Sequence, residues 1–133
     1  MEDVLKVRDG LVGVKMIDRD HAELSEMALE LKLQAAAGRQ WTLTSPMLRE
    51  LARATVSHFA LEETMMESTN YPSELQHRLQ HQWMVDQMRM LTTRCRRNGL
   101  QANEMLLNLF VESHFAHVGR DDLHYGLWLN GSR

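Results

Sequence analysis

Histidine and glutamate occupy places along this chain that helical packing normally reserves for apolar side chains. Leu51, Thr55, His58, Glu62 and Met66 fall on one stripe at helical spacing. His77, His81, Met84, Met88, Leu91 and Cys95 fall on another. A chain that turns imidazoles and a carboxylate inward must form long amphipathic helices. It must also give those groups partners, because an unpaired buried polar group costs roughly 2–7 kcal/mol.

The same periodicity predicts four helices. The first begins near Asp18 and ends before Gly38, with His21, Leu24, Ala28 and Leu31 inward. A loop, GRQWTLTSP, follows, and Ser45 as N-cap with Pro46 at the first helical position starts the second helix. That helix should end near Asn70, ahead of Tyr71-Pro72. The third runs from about Ser73 to Asn98-Gly99. The fourth starts near Ala102, carries Leu107, Phe110, His114 and His117 in line, and weakens at Gly119. Short links between long helices predict an all-α, up-down-up-down four-helix bundle over 18–133, with an N-terminal arm over 1–17. Only two prolines and 6% aromatics agree with helix.

Charge and cysteine usage exclude several function classes. The net charge is −3 with acids and bases mixed, which points to neither nucleic acid nor an anionic membrane as partner. No apolar run is long enough to cross a bilayer, and MEDVLKVRDGLVGVKMIDRD lacks the apolar centre of a signal peptide. Cys95 is the only cysteine, so no internal disulfide can form, and a reducing, cytoplasmic setting is expected.

A lone histidine on an apolar stripe is usually a hydrogen-bonded core residue. Here every predicted helix places at least one inward, and the His58/Glu62 and His77/His81 pairs are each four residues apart. That spacing stacks both side chains on one face, where both reach one metal ion. An ion would take the nitrogen lone pairs and the carboxylate charge at once. Glu63, rotated by about 100° from Glu62, reads as a solvated surface residue. Met66, Met84 and Met88 read as core packing rather than sulfur ligands. RCRRNG, from Arg94 to Gly99, reads as a basic helix end complementing the dipole.

These elements together resemble the hemerythrin family, whose pattern runs H, then HFxxEExxM, then YPxxxxHxxxH, then WLxxHIxxxDxxY. The first His matches His21 in IDRDHAEL, the second element HFALEETMM, the third YPSELQHRLQH, and the last SHFAHVGRDDLHY with Asp122 and Tyr125 in register. The resemblance implies a non-haem centre of two iron ions with a bridging oxo or hydroxo group. His77, His81 and His117 would bind one iron, His21 and His58 the other, with Glu62 and Asp122 spanning both. The second iron would then be one ligand short, leaving a position for dioxygen. Ligand type alone also suits zinc or manganese.

Asp122 lies five residues after His117, about 140° away on a regular helix, so it joins the site only if the helix bulges or ends between them. Asp121, four residues on, would suit an unbroken helix; the family spacing favours Asp122. His124 has no match in the pattern and reads as a surface residue. Ser113 and His114 stand where the family often has Trp-Leu. His114 is therefore expected in the ligand pocket, either coordinating the open iron or donating a hydrogen bond to its ligand, and stable oxygen storage should be poor. The leading expectation is a dioxygen-binding protein, acting as carrier, scavenger or sensor with a signalling or electron-donor partner. Its competitors are a redox enzyme reducing oxygen, peroxide or nitric oxide, and a bundle without metal.

Overall fold

The computed structural model describes residues 12–132. Its first helix, α1 (Lys15–Ala36), follows from the stripe Ile17, His21, Leu24, Ala28, Leu31 and Ala35, all buried. It starts one turn before Asp18 because Ile17 extends that stripe. The arm expected over 1–17 lies outside the described residues for 1–11. Gly38, at φ +70°, stops the helix. Arg39 N–H donates to the Gln34 carbonyl at 3.1 Å and Gly38 N–H to that of Ala35 at 3.0 Å, a paired closure that needs a left-handed residue.

Helix α2 (Trp41–Ser68) corrects the expected loop and the Ser45/Pro46 start. Most of GRQWTLTSP is helical, and Gln40 is the N-cap. Thr44 and Leu48 are fully buried and carry the inward stripe one turn upstream, while Trp41 packs on the core. Pro46 is tolerated because it is exposed and close to the helix start, where its missing N–H removes a single bond. Asn70, at φ 57°, ends α2 with a second paired closure, Tyr71 N–H donating to Met66 at 2.9 Å. Helix α3 (Glu74–Asn98) follows, with Arg96 and Arg97 in its last turn. A 3₁₀ turn (Gln101–Asn103) leads into α4 (Glu104–His117).

Beyond α4 the chain stays helical but changes winding. Val118–Asp122 forms a π turn, α5 (Leu123–Leu127) resumes the α form, and Trp128–Ser132 is π again. Each long helix packs on the next, and α1 closes the ring against α4, giving the up-down-up-down bundle. Two apolar clusters fill its ends. One gathers Leu24, Leu31, Leu48, Leu51, Met88, Leu91, Cys95 and Phe110. The other gathers Val12, Ile17, Met66, Tyr71, Val118 and Tyr125. Gly126 lets the Val12 backbone lie across α5: a Cβ there would stand 1.7 Å from the Val12 carbonyl oxygen. Between the two clusters lies a single polar layer.

Candidate metal centre

That layer takes one or more residues from every long helix. His21 sits between Ile17 and Leu24 on α1; His58 and Glu62 sit between Thr55 and Met66 on α2. His77 and His81 precede Met84 on α3, His114 and His117 close α4, and Asp122 ends the π turn. All are buried, Glu62 and Asp122 completely.

The two carboxylates divide their oxygens between two sets of imidazoles. Glu62 Oε1 lies 3.0 Å from His81 Nε2 and 3.4 Å from His77 Nε2. Asp122 Oδ1 lies 2.6 Å from His77 Nε2 and 3.0 Å from His117 Nε2. On the other side, Glu62 Oε2 is 2.9 Å from His58 Nε2 and 3.4 Å from His21 Nε2, and Asp122 Oδ2 is 2.9 Å from His21 Nε2. These are ion-pair distances, yet most lack hydrogen-bond geometry. His58 Nε2, His77 Nε2, both Glu62 oxygens and Asp122 Oδ1 are buried with no hydrogen-bond partner. Such orphans are costly in an apolar interior.

A second tier of carboxylates explains which nitrogens face inward. Asp20 Oδ2 accepts from His58 Nδ1 at 3.0 Å, Glu63 Oε2 from His81 Nδ1 at 2.8 Å, and Asp121 Oδ2 from His117 Nδ1 at 3.0 Å. An ionised carboxylate only accepts, so each Nδ1 carries a proton, and a ring that holds no second proton turns an Nε2 lone pair inward. His81 Nε2 and His117 Nε2 then meet at 3.2 Å, lone pair to lone pair unless a cation or a proton lies between. Ligand atoms of Glu62, His77, His81, His117 and Asp122 all lie within 4.8 Å of one another, as do those of His21, His58, Glu62 and Asp122. Opposed ligands on one ion stand about 4.2 Å apart, twice a metal bond of about 2.1 Å. Donor set, spacing and orphaned atoms therefore fit two metal ions that share both carboxylates.

The family described as hemerythrin HHE cation binding domain matches residues 12–129. The chain belongs to that family. Bacteriohemerythrin of Pseudomonas paraeruginosa is 29% identical over 113 residues, covering 85% of this chain and 72% of the relative. Bacteriohemerythrin of Stenotrophomonas maltophilia is 27% identical over 114 residues, covering 86% and 73%. No solved structure matches the chain. It is thus a hemerythrin-like four-helix bundle with a metal-binding core, and no described helix is long and apolar enough to cross a membrane.

The hemerythrin-like centre brings together His21, His58, Glu62, His77, His81, His117 and Asp122, and it separates Asp121 from Asp122. The π turn carries Asp122 into the layer, while Asp121 turns outward to hold His117. Glu63 corrects its expected role as a solvated residue: its side chain is only a quarter exposed, and it bonds His81. Asp20 and Glu63 are the functional residues that sequence reasoning missed. The adjacent acid in HFALEE was a signal for Glu63; nothing local pointed Asp20 at His58, a helix away. His124 is exposed, as expected, and bonds the Tyr71 hydroxyl.

Without an ion, the layer holds protons instead. Burial opposes protonation of His21, but Asp122 and Glu62 outweigh it and push its pKa up to about 9. His117 goes to about 10, burial being overcome by the charge of Asp122 and the bonds to Asp121 and Asp122. Burial likewise opposes ionisation of Glu62, yet the facing imidazoles hold it well below the usual carboxylate range. Burial would raise Asp122 too; beside His117 and His21 it is lowered. His114 differs. It belongs to neither ligand group, neither of its ring nitrogens has a hydrogen-bond partner, and burial followed by the His21 charge depresses its pKa to about 3.

Proposed function

We propose that the seven inward residues hold two non-haem iron ions, joined by a solvent-derived oxo or hydroxo bridge, and that the chain binds dioxygen or a similar small diatomic ligand there. The observation that carries this reading is the division of each carboxylate between two imidazole sets, one of three histidines and one of two. With iron bound, the three-histidine set, both carboxylates and a solvent oxygen would supply six ligands. The two-histidine set would supply one fewer and leave a position for an exogenous ligand. Bound iron would supply a reversible electron at that position.

The chain's own residues do the rest. Glu62 and Asp122 fix the separation of the two sites. Asp20, Glu63 and Asp121 hold three rings in the inward-facing tautomer. The apolar clusters above and below keep bulk water out of the layer. A cleft of about 110 Å³ lined by Asp20, Leu24, Ser57 and His58 lies against the outer side of the two-histidine set. In this reading the protein acts in the cytoplasm as carrier, scavenger or sensor, and passes its state to a signalling or electron-donor protein.

The test is metal analysis followed by anaerobic reduction and oxygen addition under visible absorbance. Two irons per chain and an oxygen-dependent charge-transfer band are expected. Protein expressed with ample iron that retains none, or that shows no spectral response to oxygen, sinks the reading.

A further inference from the structure

The two-histidine side of the centre carries one polar residue that the ligand set does not use. His114 is buried to 6% exposure, and both Nδ1 and Nε2 lack a hydrogen-bond partner. Its ring meets that of His21 edge-on, with centroids 6.2 Å apart and planes at 85°. Phe110 and Phe115 stand 6.4 and 6.2 Å away and offer it no polar atom. An imidazole with two orphaned nitrogens is a poor tenant of an apolar interior, and a leucine of similar size would pack there without that cost. His114 also stays out of the group formed by His21, His58, Glu62 and Asp122, whose ligand atoms all lie within 4.8 Å of one another. It is therefore set back from the ligand atoms, beside them on the His21 side rather than among them.

We propose that His114 is a ligand-selecting residue, donating its ring N–H to a small guest held on the His21/His58 side and favouring guests with a charged, hydrogen-bond-accepting terminal atom. The class is the small inorganic anions, of which azide is the simplest probe. This inference rests on the two-ion reading above. A donor in a dry site strengthens binding of an accepting anion more than of an apolar diatomic, because an accepting atom buried without a donor loses its hydration for nothing.

The experiment uses the full chain loaded with oxidised iron, as wild type, His114→Leu and His114→Gln. Iron per chain is counted first, and azide is then titrated against the visible absorbance. Wild type should bind azide about tenfold to a hundredfold more tightly than His114→Leu, the range for one hydrogen bond to a charged group. His114→Gln, which restores an N–H donor, should recover part of the loss, while all three proteins keep two irons. Equal azide affinity in wild type and His114→Leu overturns the proposal. Loss of iron in His114→Leu also overturns it, by making His114 a ligand to the ion. If wild type itself holds no iron, the two-ion reading has failed first, and the iron count reveals that before any azide is added. If His114→Leu does not fold, the comparison of wild type with His114→Gln decides: an affinity gain of Gln over wild type of more than about tenfold counts against donation by the ring.

Discussion

Glu62 faces four imidazoles and has no hydrogen-bond partner for either oxygen, so its burial makes sense only beside cations. Glu62→Ala removes one oxygen from each ligand group at once. Iron content should fall below two per chain while helical circular dichroism persists, and full retention of two irons would refute the bridging role. Glu63 acts one bond further out. Glu63→Gln keeps the shape but frees the His81 tautomer, and should weaken metal affinity by about tenfold to a hundredfold, as read by chelator competition. Protons compete for the same atoms. His21 and His117 have pKa values raised to about 9 and 10 in the metal-free fold. Their protonated forms therefore stabilise that fold below the ordinary histidine range, and this contribution fades as pH rises through 9 to 10. Metal needs both rings neutral, so uptake must expel protons. Apparent affinity should climb between pH 6 and 9, about tenfold per pH unit for each proton released. A flat profile across that range would show that the rings are already neutral.

At the scale of the element, the π turn after α4 decides which aspartate enters the layer. A π turn is an α-helix with one residue added. Deleting exposed Arg120 removes that residue, puts Asp122 four positions after His117, and leaves it on the same face. Iron content should survive this deletion. Deleting exposed Ala60 from regular α2 instead rotates Glu62 by about 100° relative to His58 and should abolish binding of the iron pair. Loss of iron in both deletions would mean that the extra residue does more than set the register. The start of α2 teaches a related lesson. Ser45-Pro46 reads as a helix beginning by local rules, yet Thr44, Leu48 and Trp41 gain enough burial to carry the helix past it.

Over the whole molecule, a layer of eight titratable groups divides two apolar clusters that would otherwise form one core. Without metal that layer weakens the bundle wherever its atoms stay orphaned. An ion that binds only the folded chain adds about 2.7 kcal/mol at a hundred times its dissociation constant, which in a domain this size raises the melting temperature by roughly 10 °C. Calorimetry of metal-free and loaded protein should differ by at least that much. Coincident midpoints would mean that the polar layer costs nothing when empty.

The four helices and the inward set His21, His58, Glu62, His77, His81 and His117 were legible in the sequence, because the 3.6-residue period is a local property that fixes which side chains share a face. The ends of α1 and α3 were legible for the same reason, being written in Gly38 and in Asn98-Gly99. Tertiary structure decided what depends on how one helix is rotated and shifted against another. That includes the pairing of Asp20 with His58 and of Glu63 with His81, and the lack of any hydrogen-bond partner for His114, whose inward stripe was itself legible. It also includes the π winding that admits Asp122 and turns Asp121 outward. Local spacing counted 140° against Asp122. Packing absorbed that angle, because a buried carboxylate facing His21, His77 and His117 is worth more to the fold than one turn of regular helix.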